Sequence, residues 1–424
     1  VRPGADGAIV RLAGREEAGH GPQVPCIGRS SIILFCIDDE GAIMHQRLSI
    51  LRIALIITAT VFFVANGLKA QKIVIKTENG VPAVYNPKEP VRIKGEPTKV
   101  TLKHELTIGQ ESGDADHVFS GLQMFVVDDH ERIYVLDWKD AKVKVFDSHG
   151  NHLCSFGTKG QGPGEINQPI RIIDVPGGGV AVLDAGSKLI FFSPEGRVLK
   201  EVPLGKYSTL RRYLIDSDGY IYGHVWSFDE TMATAKFMKF SPVLEPLITL
   251  ASFEQKIPRR VFRPYSEEYF VNLTADENLL WAVHSDYKLT ILDKEGKILR
   301  KIIKDYDPVK ITTADRDELI KTNFGDRGIP ANVTVDIPKY YPAIHHVLRG
   351  GDGRCVVCTY DYTQGKDGRL IRHDVFDSQG QYIARFYHPQ TETTFSILND
   401  KLYTRVEESA GGTEKVSIYR LIWE

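Results

Sequence analysis

Residues 133–169 read IYVLDWKDAKVKVFDSHGNHLCSFGTKGQGPGEINQP. Short runs rich in β-branched and aromatic residues alternate here with Asp- and Gly-centred turns. Such runs read as strands, and such turns as hairpins, because Gly, Asn and Asp tolerate the positive φ that tight turns demand. The same order recurs along the chain. Turns between a third and fourth strand fall at Asp147-Ser148-His149-Gly150, Ser193-Pro194-Glu195-Gly196, Ser241-Pro242-Val243-Leu244, Asp293-Lys294-Glu295-Gly296 and Asp377-Ser378-Gln379-Gly380. Turns between a first and second strand fall near Glu131, Gly179, Gly219, Asn278, Gly353 and Asp400. Six copies result, at about 120–157, 168–205, 209–251, 268–305, 342–388 and 391–424. Four short strands repeated six times predict an all-β fold, a six-bladed β-propeller of four-stranded antiparallel blades.

The last copy holds only three strands, at 394–398, 401–407 and 415–423. A fourth is available in front of the first copy. Lys103–Gly109 (KHELTIG) resembles Asn151–Gly157 (NHLCSFG), which ends the first blade. The N-terminal strand is therefore expected to close the last blade and hide two sheet edges.

With these residues in view, 133–169 resembles an NHL-type repeat. Asp137, Asp147, Gly150, Phe156, Gly157, Gly162, Pro163, Gly164, Glu165 and Pro169 fall on matching positions. The Asn-His-Arg of that family is replaced by Asp140-Ala141-Lys142. The resemblance is partial in the second copy and weak afterwards. The whole chain is similar to exported, TolB-like six-bladed propeller proteins of bacteria. That resemblance implies the fold and not a reaction.

Composition bounds the rest. Among 424 residues, 53 Lys and Arg balance 55 Asp and Glu, for a net charge of −2. Near-neutrality argues against nucleic acid as the main partner. Residues 1–43 carry no structural period and are expected to be an over-extended start or a disordered N-terminus. From Met44, a charged stretch with His45, Arg47 and Arg52 leads into the apolar run 53–64 and then to Ala70. Residues 44–70 therefore read as a secretory signal peptide. The run, ~12–15 residues, is shorter than the ~20 of a comfortable span, so a membrane anchor over 48–67 is the alternative. Residues 71–98 read as a linker or N-terminal extension, and 99–424 as the propeller. The expected location is periplasmic or extracellular. Of the five cysteines, only Cys154, Cys355 and Cys358 follow the signal. Cys355 and Cys358 form a C-x-x-C, but on a strand i and i+3 face opposite ways, which favours packing over redox chemistry or zinc.

In a propeller the first strand of each blade lines the central channel. The residue eight places before each first turn is Gln123, Arg171, Arg211, Phe270, His345 and Glu392. This set is expected to ring one mouth of the channel. The second strands end near the same mouth at Asp137, Asp184, His224, His284, Tyr360 and Arg405. Hydrated pore lining and inter-blade salt bridges would account for the same residue types. Long insertions, at about 226–236, 252–268, 306–341 and 361–369, fall on that face, where binding usually sits. One contains a helix-like stretch, Thr313–Thr322. Another carries Lys256, Arg259, Arg260 and Arg263 with Phe262 and Tyr265.

The sequence carries few motifs of familiar chemistry. Gly160-Gln161-Gly162-Pro163-Gly164 precedes a strand and lacks the Lys-Ser/Thr of a phosphate loop, so it reads as a turn. Asp216-Ser217-Asp218-Gly219 hints at a calcium loop, but the twelve-residue ligand pattern does not follow. His345 and His346 are adjacent, so on a strand they diverge and cannot share a metal. No catalytic residue, metal site or cofactor is expected. Two classes remain. One is an exported, non-catalytic module offering a loop-rich face and a polar channel mouth to a protein, peptide or glycan of the cell envelope. The other is a lactonase-like hydrolase or lyase with a divalent metal in the channel. Arg171, Arg211 and His345 repel such a cation and favour the first.

Overall fold

A computed structural model describes residues 72–424, apart from 186, 257–259, 267, 351, 367 and 407–413. The expected N-terminal tail and signal, and Arg259 of the basic loop, lie outside the described residues. Among these residues no helix is long and apolar enough to cross a membrane.

The fold is a six-bladed β-propeller. An N-terminal hairpin, β1 (Val74–Glu78) and β2 (Val81–Asn86), precedes β3 (Val100–Ile108). Blade 1 is β4 (Leu122–Val127), β5 (Ile133–Asp137), β6 (Lys142–Phe146) and β7 (His152–Phe156). Blade 2 is β8 (Pro169–Asp174), β9 (Val180–Asp184), β10 (Lys188–Phe192) and β11 (Val198–Pro203). Blade 3 is β12 (Arg211–Ile215), β13 (Ile221–Phe228), β14 (Met232–Phe240) and β15 (Pro246–Lys256). After the short β16 (Val261–Phe262), blade 4 is β17 (Tyr269–Leu273), β18 (Leu279–Val283), β19 (Lys288–Leu292) and β20 (Ile298–Lys304). Helix α1 (Thr313–Phe324) and β21 (Thr334–Val335) follow. Blade 5 is β22 (His346–Arg349), β23 (Cys355–Gly365), β24 (Gly368–Phe376) and β25 (Tyr382–Pro389). Blade 6 is β26 (Glu392–Leu398), β27 (Lys401–Val406) and β28 (Lys415–Trp423), with β3 as its outer strand. The N-terminal strand thus closes the last blade, antiparallel to β28 from Val100↔Trp423 to Ile108↔Val416. Successive first strands touch one another around the ring, and β26 touches β4.

The apolar core is divided among the blade interfaces. Each neighbouring pair of blades encloses its own cluster: Val143 with Ile190 between blades 1 and 2, Leu189 with Tyr213 between 2 and 3, and Phe237 with Leu279 between 3 and 4. Leu289 with Val357, Ala384 with Leu402, and Tyr403 with Phe125 complete the circuit. Strands buried on both faces explain why β5, β9 and β10 read as near-continuous apolar runs. The turn aspartates are structural. Asp216 Oδ1 accepts from the Asp218 and Tyr220 amides (3.1 and 2.9 Å), while Tyr222 O–H donates to Oδ2 at 3.0 Å. The calcium-like sequence is therefore an Asx turn, tied to its own blade and, through Lys294 and Glu277, to blade 4.

Residues 72–98 hold more structure than a linker. β2 runs parallel to β20, so the hairpin extends blade 4 to six strands. The chain then crosses blade 5. Asn86 Nδ2 donates to Gly380 O (2.9 Å), the Tyr382 amide donates to Asn86 Oδ1 (2.8 Å), and the Val91 amide donates to Tyr382 O (2.9 Å). It ends in β3, so a single segment spans three blades.

The insertions are more ordered than loops. Residues 226–236 and 361–369 belong to the long hairpins β13–β14 and β23–β24, which continue past the blade body. β16 and β21 pair in parallel and join two insertions. Thr312 caps α1 through a reciprocal capping box with Asp315, and Arg369 of the blade 5 hairpin reaches Asp315 at 3.2 Å.

Candidate functional site

The first strands enclose a central cavity of ≈ 520 Å³. Of the expected ring, Arg171, Phe270 and His345 line it. Gln123, Arg211 and Glu392 are not among its lining residues. The reason is a set of β-bulges at the starts of the first strands. The register shifts between Leu122 and Met124, Pro169 and Arg171, Arg211 and Leu214, and Thr394 and Ser396, whereas β17 and β22 pair without a shift. One extra residue turns a strand's side chains to the other face, so a fixed offset from the turn selects different faces in different blades.

The three displaced residues have other surroundings. Arg211 Nη1 donates to the carbonyls of Ser208 (3.1 Å) and Leu210 (2.9 Å). The Gln123 carbonyl accepts from Arg405 Nη1 at 2.9 Å, which ties blade 6 to blade 1. Glu392 accepts from Thr404 Oγ1 (2.6 Å) and Tyr419 O–H (2.7 Å) and sits 3.1 Å from His388 Nε2. Burial alone would raise the pKa of Glu392, but these contacts outweigh it and hold it below the usual carboxylate range. Its stabilising contribution is therefore full above the unfolded value of about 4.3 and is lost as pH falls through the lower folded value. Acid titration of unfolding should show Glu392→Gln losing less stability than the parent over that interval. An equal loss in both proteins would contradict this assignment.

The second-strand ends serve mainly as buttresses. Asp137 is fully buried, its Oδ2 accepts from the Ser120 amide (2.7 Å), and burial raises its pKa. Asp184 Oδ1 accepts from the Asn167 and Gln168 amides, and its Oδ2 from Ser187 Oγ (3.0 Å). His224 is wedged among Phe237, Phe253 and Trp281, and burial lowers its pKa to about 4. The His284 amide donates to Glu268 O (3.0 Å), and its carbonyl accepts from the Ile344 amide (3.1 Å). Tyr360 stacks on Tyr341 (4.9 Å, 12°) and meets the His345 ring edge-on at 4.9 Å.

The cavity brings in residues that the repeat alignment passed over: Arg212, Glu268 and His346. Arg212 occupies the blade 3 bulge with φ +54°, a left-handed conformation uncommon for a long side chain. Its Nη2 donates to Glu268 Oε2 at 2.6 Å, and its guanidinium lies 5.3 Å from the centre of the Phe270 ring. Left-handed backbone costs roughly 1–2 kcal/mol for an L-residue, and the bulge aims this guanidinium into the channel in return. Arg171 differs. It lines the cavity with no hydrogen bond or ion pair among the described residues. Protein packed around it, then the nearby Arg212, lowers its pKa to about 10, so it remains charged at neutral pH. Arg349, Asp129 and Asp174 line the same cavity, so three guanidiniums face three carboxylates there, of which Glu268 is paired with Arg212.

His345 and His346 do not diverge. β22 begins only at His346, so His345 lies outside the strand and escapes its alternation. The two Nδ1 atoms are 2.8 Å apart. Cys358 lies opposite His346 across the β22–β23 ladder, and its Sγ is 3.7 Å from His345 Nδ1. Cys355, three residues earlier, packs instead with Val357 and Phe376 in the blade 4–5 core. The three described cysteines are free thiols.

Residues 121–245 match the DUF5128 family, described as a 6-bladed beta-propeller. The match covers blade 1, blade 2 and most of blade 3. No curated protein matches the chain. Among solved structures, a Bacteroides fragilis protein described as exported is 12% identical, with a TM-score of 0.49, over 81% of this chain and 99% of that one. A duf4221 family member from Bacteroides vulgatus is 11% identical, with a TM-score of 0.48, over 78% and 100%. A virginiamycin B lyase from Staphylococcus aureus is 10% identical, with a TM-score of 0.38, over 77% and 95%.

Proposed function

We propose that this propeller is an exported binding module that holds an anionic group of a peptide or glycan in its channel mouth. Arg171 carries the reading. A charged guanidinium surrounded by protein and lacking a carboxylate partner among the described residues is costly, and an incoming carboxylate, sulfate or phosphate would offset that cost. Arg212 stands in the same wall, held in place by Glu268 and Phe270. Beyond the mouth, the long blade 3 hairpins add an aromatic surface. Trp226 stacks on the exposed Phe228 (6.1 Å, 11°), and Phe253 stacks on Tyr269. Such faces suit sugar rings or peptide side chains. Residues 44–70 would serve as the export signal, placing the module in the periplasm or outside the cell.

Titration against matched acidic and neutral oligosaccharides and peptides tests this. Acidic ligands should bind preferentially, with affinity falling as salt rises. Arg171→Met should weaken them by about 10- to 100-fold, the worth of a charge-assisted hydrogen bond. Equal binding of acidic and neutral ligands, or no effect of Arg171→Met, would remove the reading.

A further inference from the structure

We propose that His345, His346 and Cys358 form a binding site for one zinc ion in the channel wall. These side chains are the one group of three or more His, Cys, Asp or Glu among the described residues whose donor atoms gather closely enough to hold an ion. All three donor atoms lie within 4.8 Å of one another. A tetrahedral zinc site with ordinary bond lengths places two nitrogens about 3.3 Å apart and a nitrogen about 3.6 Å from a sulfur. The observed Sγ to Nδ1 distance of 3.7 Å meets the second value. The two Nδ1 atoms, 2.8 Å apart, need to open by about half an ångström, within the reach of small side-chain rotations.

The backbone explains why these residues meet. His346 and Cys358 are directly opposed across two strands and so share a face. The His345 amide donates to Cys358 O at 2.8 Å, which fixes the third residue to the same partner. The donor set then selects the ion. Two imidazoles and a thiol suit a borderline-soft cation such as zinc and not calcium or magnesium, which require oxygen ligands. Zinc binds cysteine as the thiolate, so loading the site would release the Cys358 proton.

Three protein ligands leave a fourth position. His345 and His346 line the channel whereas Cys358 is buried behind them, so that position opens toward the channel. Arg171 and Arg212 stand in the same cavity, and an anion on the zinc would face them. The site itself stands on the ligand geometry and not on the anion-binding reading.

The test uses the full chain, stripped with a chelator and titrated with zinc alone against a chromophoric competitor. Cobalt(II) then serves as a spectroscopic probe. One equivalent of zinc should bind, and the cobalt form should show thiolate-to-metal charge-transfer absorption. Cys358→Ser should abolish that absorption. His345→Gln, at a residue open to the channel, should weaken zinc by more than the ~10- to 100-fold that loss of an outer partner costs. It carries the test if Cys358→Ser does not fold. Arg171→Met removes a nearby positive charge and should not weaken zinc, so failure of the anion reading remains distinct from failure here. Absence of zinc binding, a cobalt spectrum without the thiolate band, or undiminished affinity in His345→Gln would each overturn the proposal.

Discussion

Asp374→Ala is expected to destabilise the propeller by about 3–5 kcal/mol, the cost of leaving a buried charge without its partner. Asp374 is fully buried at the interface of blades 4 and 5. Its Oδ2 accepts from Tyr287 O–H (2.5 Å) and lies 3.5 Å from Lys304 Nζ. Its Oδ1 accepts from Tyr382 O–H (2.7 Å) and lies 3.2 Å from Arg372 Nε. Lys304 is almost wholly enclosed, and burial lowers its pKa against the pull of Asp374. Removing the carboxylate leaves the enclosed Lys304 with only the Asp305 carbonyl, takes one of two carboxylates from Arg372, which keeps Asp361, and leaves two hydroxyls without their acceptor. Urea unfolding measures the loss at a fixed m-value. Asp374→Asn should fall between parent and alanine variant, since the amide oxygen still accepts from a tyrosine. Lys304→Met in the alanine background should recover part of the loss. A loss below about 1 kcal/mol, the scale of an ordinary hydrogen bond, would show that Lys304 finds another partner.

Removal of residues 72–109 should abolish cooperative unfolding altogether. That deletion takes away β3, the outer strand of blade 6, with its buried Val100 and Ile108. It also removes the backbone clasp at the C-terminus, where the Thr98 and Lys99 amides donate to Glu424 O (2.8 and 3.1 Å) and the Glu424 amide donates to Lys99 O (2.9 Å). The long β28 edge would be left unpaired, a template for aggregation. A shorter deletion, of 72–86, should still fold. It exposes only the β20 edge and removes the Asn86 bonds to blade 5, so the expected results are a lower melting temperature and concentration-dependent association. Scanning calorimetry with light scattering separates the two deletions. A cooperative transition without 72–109 would show that the ring holds without its clasp.

The repeat was legible because hairpin chemistry is local. Asp147, Gly150, Asp377 and Gly380 announce their turns within four residues, and strand pairing follows from them. The closing strand was legible for the same reason, since Lys103–Gly109 carries the alternation of an outer strand. The channel lining was only half legible. Phe270 is legible because β17 pairs without a bulge, His345 because it directly precedes the unbulged β22, and Arg171 because it follows the β8 bulge rather than forming it. Arg212 was missed because its aim depends on a left-handed bulge that leaves no mark in the adjacent pair Arg211-Arg212. C-x-x-C spacing reports only on one strand, whereas the neighbours of Cys358 lie across the ladder. Cross-strand neighbours are set by register, and register is a tertiary fact.

The N-terminal belt has a kinetic consequence. Glu105 and Arg420 form an ion pair at 2.9 Å although 315 positions separate them. Ring closure therefore awaits a contact of very high sequence separation, whose loop entropy must be met before any reward is collected. Blades can condense on their local hairpins beforehand, but the edges of blade 6 stay open until both ends of the chain are in hand. Folding should show an early phase of blade formation and a late phase of closure, and only the late phase should slow when β3 is weakened.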